Sequence, residues 1–169
     1  MIDNCKYSFR ELAIEVLPEY MKKMREAIKR PYPMTRFAIK GDGPKTILKQ
    51  LGREKDFSGC YVLLEDGKPV YVGISRSVVQ RLIQHVKGST HYDASLAYRI
   101  ASKRYPNNLL RSEAMKDDRF RIIFEESKAY ILSLNVSFIE VENDLELYLF
   151  EAYCALELNT SKWNTFRTH

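Results

Sequence analysis

The sequence predicts an α+β fold: a small, mainly antiparallel sheet covered by helices and preceded by a helical extension. Three observations carry that prediction. Two short apolar runs, 59–64 and 69–73, flank Glu65-Asp66-Gly67-Lys68, and an Asp-Gly between such runs is a strong hairpin signal. A third run, Val136-Ser137-Phe138-Ile139-Glu140-Val141, alternates with the period of a strand. Most of the remaining chain carries apolar residues at helical spacing, so helices must cover the sheet.

Taken in order, residues 8–30 predict a helix with Leu12, Val16, Leu17, Tyr20, Met24 and Ile28 on its apolar side. Pro18 should kink or restart it, and Pro31 and Pro33 should end it. Gly41-Asp42-Gly43-Pro44 reads as a turn, with Pro44 opening a short helix that stops near Leu51-Gly52. The texture changes at Phe57, which divides the chain into a basic helical extension, 1–56, and a domain, 57–169. After the hairpin, a helix is expected over 77–87, where Ser77 and Gln80 have capping-box spacing. Others are expected over 94–104 and 108–134, the last broken near Asp117-Asp118. Asp144 is the expected cap of a final helix reaching Leu158.

At 169 residues the chain can bury a core without disulfides or a structural metal. Its cysteines, Cys5, Cys60 and Cys154, are odd in number and scattered, which predicts idle thiols in a reducing compartment. The N-terminus lacks the pattern of a signal peptide, and no apolar run is long enough to span a bilayer. A cytoplasmic protein with no membrane partner is the expectation. Charge is segregated along the chain. Residues 76–111 carry seven basic residues against one acidic, and 113–157 carry eleven acidic against four basic. Such segregation gives one face a positive potential, which suits a polyanion or simply a solvated helix.

The least comfortable residue is Glu151, within Leu147-Tyr148-Leu149-Phe150-Glu151-Ala152-Tyr153-Cys154-Ala155-Leu156. A helix so apolar should be buried on most sides, where a carboxylate needs a cation. Two readings stand: a narrow exposed stripe or a structural Arg partner, or one Mg²⁺ or Mn²⁺ held with waters and a substrate phosphate. Arg81 and His85 lie four apart on one helical face with Ser77, opposite Val78, Val79, Leu82, Ile83 and Val86. The planar fork of an Arg suits phosphate. Tyr61 and Tyr71, on adjacent strands, can share a face.

Together these residues resemble the GIY-YIG nuclease family: Gly59-Cys60-Tyr61, Tyr71-Val72-Gly73, Arg81, His85, the late Glu151, and Asn164. The resemblance covers 57–169, and the ending 162–169 is similar to that of small bacterial stand-alone members. It implies a three-stranded antiparallel sheet flanked by helices and a metal-dependent endonuclease acting on nucleic acid, with DNA the expected form. By resemblance, Glu151 binds the single Mg²⁺ or Mn²⁺ and Arg81 holds a phosphate oxygen. Tyr61 positions or deprotonates the attacking water, Tyr71 and His85 belong to its hydrogen-bond network, and Asn164 is a supporting polar group. A phenol of ordinary pKa near 10 is a poor base at neutral pH, so a neighbour must assist it.

The match has departures. Cys60 stands where the family usually has Ile, and Ile74 where excision-repair members often have Lys. Lys68 is the sole candidate for a hairpin Lys. Asn159 is an alternative to Asn164, and Glu146 to Glu151, although an acidic residue in a first helical turn has a structural explanation. Arg76, Lys87, Arg99, Lys103 and Arg104 are candidate phosphate contacts, and Lys22, Lys23, Arg25, Lys29 and Arg30 extend the basic surface or serve solubility. The competing expectations are a non-catalytic nucleic-acid-binding module on the same fold, and an interaction domain docking a basic partner through 113–157.

Overall fold

The computed structural model describes residues 1–166. In chain order it contains α1 (Phe9–Glu11), a π-helical segment Leu12–Val16, α2 (Leu17–Ile28), β1 (Tyr32–Pro33), α3 (Pro44–Gln50), β2 (Gly59–Glu65), β3 (Lys68–Ser75), α4 (Val78–Lys87), α5 (Ser95–Arg104), α6 (Arg111–Ala114), α7 (Asp118–Leu132), β4 (Asn135–Glu140) and α8 (Asp144–Glu157). The class is α+β, as the periodicities predict. The chain divides into two compact units, one built from 1–32, 56–78 and 135 onward, the other from 33–55 and 79–134.

The sheet has the order β1-β4-β2-β3, and β2, β3 and β4 belong to the first unit. It has four strands where three were expected. The added strand, β1, is only two residues long and contains Pro33, so it shows no alternation in sequence; lacking an N–H, proline suits a sheet edge. β2 pairs antiparallel with both β3 and β4. The hairpin turn is what Asp-Gly requires: Asp66 and Gly67 have φ of 49° and 77°, the doubly left-handed turn that matches strand twist. Register slips once, between Leu63 paired with Tyr71 and Leu64 paired with Pro69, a bulge beside a residue that cannot donate to the ladder.

Successive strand residues point to opposite faces. Cys60, Val62 and Leu64 therefore face one way, into a core with Val72, Ile139, Met21, Met24, Phe150 and Cys154. That core covers one side of the sheet with α2 and α8, and each fully buried aliphatic side chain in it contributes about 1.5–3 kcal/mol. Tyr61, Leu63 and Tyr71 face the other way and are buried as well.

The helix expected over 8–30 forms, but not as one regular α-helix. Ser8 and Glu11 make a capping box, and the turns before Pro18 widen into the π-helical segment. The proline ring displaces the carbonyl one turn back and supplies no N–H, which the wider turn accommodates. α8 is capped by Asn143 rather than by Asp144, the Asn143 side chain accepting from Glu146 N at 3.1 Å. Nor is α8 buried on most sides: Tyr148 and Leu156 are 69% and 81% exposed. Its apolar circumference is thus only half used by the core. The described residues contain no helix long and apolar enough to cross a membrane. All three cysteines are buried free thiols.

In the second unit, Pro44 opens α3 and Leu51-Gly52 closes it, Gly52 taking a φ of 70°. The expected break at Asp117-Asp118 is present: α6 ends at Ala114, and the Asp117 carboxylate caps α7 by accepting from Phe120 N at 2.8 Å. Residues 108–110 stay outside the helices, so this stretch starts at Arg111.

Candidate functional site

In the first unit, the hairpin brings together three candidate residues that are distant in sequence. Tyr61 lies directly across from Gly73. A β-carbon added at Gly73 would stand 2.4 Å from the Tyr61 hydroxyl oxygen and 2.9 Å from the Tyr71 ring. Gly73 is therefore the space that the Tyr61 ring fills. The two phenol rings sit side by side, with centroids 6.2 Å apart and planes inclined by 52°. Gly59 has a comparable role on β2, where a β-carbon would meet the Ile139 carbonyl oxygen at 2.2 Å, closer than any real contact. Both motif glycines are thus demanded by close packing, whatever chemistry the tyrosines perform.

Asn164 reaches the residue between Tyr71 and Gly73. Its Oδ1 accepts from Val72 N and its Nδ2 donates to Val72 O, both at 2.8 Å. β3 is an edge strand, and the Val72 N–H and C=O point outward from it. One carboxamide satisfies both, acting as a one-residue strand partner. Asn159 does something else: with φ of 51° it ends α8 in the left-handed conformation.

Glu151 comes from α8, which packs on the Cys60 side of the hairpin, opposite the phenol face. It is half-buried. Burial, then the Cys154 thiol, then the Glu151 charge push the Cys60 thiol well above its ordinary value, so that thiol stays protonated. Glu146 is buried and committed elsewhere. It accepts from the Tyr20 hydroxyl at 2.6 Å and from the Cys5 thiol at 3.9 Å. Burial and this carboxylate raise the Tyr20 pKa, keeping the phenol a donor. The two acidic candidates on α8 therefore differ in kind.

Arg81 and His85 belong to the second unit. Arg81 is anchored: Nη1 donates to Gln84 Oε1 at 3.2 Å and to the Asp93 carbonyl at 2.9 Å, and Nη2 donates to Ser95 Oγ. It thereby ties α4 to the turn before α5, a link that spacing within α4 could not reveal. His85 is wholly buried, and its pKa falls to about 3 through loss of water, then the charges of Arg81 and Arg99. The helical wheel places it beside Arg81 and Ser77, but only Ser77 is exposed.

The phosphate-contact candidates are unlike one another. Arg76 makes a bidentate pair with Asp144, at 3.1 and 2.6 Å. Lys87 Nζ donates to the carbonyls of Ile39 and Asp42 at 2.7 and 2.8 Å, closing the loop before α3. Arg104 pairs with Glu126 at 2.7 Å. Arg99 and Lys103 are exposed on α5. In the extension, Lys22 and Lys29 pair with Glu19 and Glu26 one turn away, Arg25 pairs with Glu157, and Lys23 lies over the Tyr20 ring. Lys68 is exposed at the start of β3. Of the ending compared above, 167–169 lie outside the described residues.

Among the described residues, no three His, Cys, Asp or Glu side chains are grouped to hold a metal ion. Comparison with protein-family models, with characterised proteins and with solved structures finds no match to this chain.

Proposed function

We propose that this protein is a divalent-metal-dependent endonuclease hydrolysing nucleic-acid phosphodiester bonds, with DNA as the expected substrate. One observation supports this reading best: Tyr61, Tyr71 and Asn164 converge on adjacent positions of one hairpin. The Tyr61 ring is buried and seated over Gly73, in the volume a β-carbon would take. A phenol so fixed suits the positioning of an attacking water, and no covalent intermediate on the protein is needed.

Glu151 offers a hard oxygen donor, while the neighbouring Cys60 is held as a thiol and does not compete as a ligand. A single carboxylate with waters and substrate phosphate completing the shell fits Mg²⁺ or Mn²⁺. The bound ion would polarise the scissile phosphate. Arg81 is assigned to a non-bridging phosphate oxygen. Its anchoring to Asp93 and Ser95 uses part of the guanidinium and holds the rest in place, as electrostatic stabilisation requires. With a pKa of about 3, His85 accepts a proton too weakly near neutral pH to be an effective general base, so it serves as a neutral hydrogen-bonding imidazole.

Glu151→Ala tests the metal assignment. It should abolish cleavage and leave nucleic-acid binding near wild type. Normal cleavage by that variant would overturn the assignment.

A further inference from the structure

A cavity of about 440 Å³ lies between the end of β3 and the start of α8, with Asp3, Ile74, Ser75, Arg76, Asp144, Leu147 and Tyr148 among its lining residues. That volume is in the range of ligand pockets. Its α8 residues fall on one stripe: Asp144, Leu147 and Tyr148 are followed by Glu151 at the i, i+3, i+4, i+7 spacing of a helical face. Its β3 residues begin immediately after Gly73, against which Tyr61 packs. Ile74, paired with Cys60, turns to the α8 side of the sheet, so the cavity lies on the face away from the phenol pair, with Tyr148 one turn before Glu151 on α8.

Two of its side chains have surfaces that folding does not use. The Tyr148 ring is 69% exposed although the next turns of α8 bury Phe150 and Cys154 completely. The Arg76 side chain is 80% exposed, yet Asp144 fixes its guanidinium through Nε and Nη2. Its remaining N–H groups are held in a set direction, ready to bind an anionic oxygen. An exposed aromatic face with an oriented guanidinium beside it is the pairing that binds a nucleotide: the ring stacks on the base and the fork takes the phosphate.

We propose that this cavity is a subsite for an unpaired nucleobase flanking the cleaved phosphate, with Tyr148 as its stacking platform, so that single-stranded, branched or locally opened DNA, including the unwound stretches of a supercoiled plasmid, is preferred over relaxed duplex. The inference rests on the nuclease reading. A paired base is already stacked on both faces within the duplex and has none to offer Tyr148. Stacking tolerates any base, so the subsite selects strand state and not sequence.

The test uses the full chain carrying Glu151→Gln, which is not expected to cut, titrated into a single-stranded DNA oligonucleotide containing 2-aminopurine. Stacking on Tyr148 should quench the fluorophore. Tyr148→Ala should remove the quench and weaken single-strand binding at least about tenfold, whereas duplex binding stays within about twofold. Tyr148→Trp should keep the quench. Tyr148 is exposed, so these variants fold; circular dichroism checks this. Equal loss on both substrates, or unchanged single-strand binding by Tyr148→Ala, overturns the subsite. Plasmid nicking by the protein with Glu151 intact reports on the nuclease reading separately: nicking with an indifferent Tyr148→Ala leaves that reading standing and removes this one.

Discussion

Asn164 closes both ends of its carboxamide on the peptide of Val72, accepting from its N–H and donating to its carbonyl at 2.8 Å each. The pairing joins residues 92 positions apart and fixes the edge strand at the point between Tyr71 and Gly73. Val72 is wholly buried, so removing the carboxamide leaves two main-chain groups unsatisfied away from water. Asn164→Ala should destabilise the protein by about 2–4 kcal/mol in urea unfolding. Asn164→Asp, which keeps the acceptor and loses the donor, should fall between the two.

Gly73 and Tyr61 form a second coupled pair. Gly73→Ala places a β-carbon inside the Tyr61 ring envelope and should cost about 1–3 kcal/mol through overpacking. In a double-mutant cycle with Tyr61→Ala the two penalties should not add, because the second change removes the ring that the first one strikes. Additive penalties would place the strain of Gly73→Ala elsewhere.

His85 makes stability depend on pH with a defined sign. Its folded pKa, about 3, lies below the ordinary value, so the unfolded chain takes up the proton first as pH falls. The contribution is complete above about pH 6.5 and declines from there towards pH 3, at up to about 1.4 kcal/mol per pH unit. Replacing His85 with Gln should flatten that part of the unfolding profile. An equally steep profile in the variant would assign the dependence to other groups.

Glu146 and Glu151 should separate cleanly. Tyr20→Phe strips the buried Glu146 carboxylate of its phenol donor and should lower stability by about 1–3 kcal/mol without removing metal-dependent cleavage. Glu151→Gln should do the reverse. Loss of cleavage in Tyr20→Phe at full folding would move the metal to Glu146.

The hairpin, β4 and the break before α7 were legible because each leaves a local signature: Asp66-Gly67 at the turn, alternation from Val136, and Asp117 three residues before a helical N–H. β1 was not, since two residues including Pro33 cannot show a period. The site was legible as residue types and illegible as contacts. Nothing near Gly73 in the sequence says that Tyr61 occupies the volume a β-carbon would take, because that depends on strand register. His85 looked solvent-facing on the helical wheel because a wheel shows one helix and no neighbouring layer. The anchoring of Arg81 left no mark because its partners, Asp93 and Ser95, lie 12 and 14 residues on, outside its own helix. Tyr148 and Leu156 made α8 look more buried than it is, since an apolar residue on the surface carries no sequence mark.

The most direct measurement of the central claim is nicking of supercoiled plasmid by the purified protein in Mg²⁺ or Mn²⁺, beside an Arg81→Ala/Glu151→Ala double variant. The account predicts nicking that requires the ion, stops on chelation and is absent in the double variant. Nicking that persists in the double variant would contradict it, as would a folded wild-type protein that binds DNA in a salt-dependent way and never cuts it.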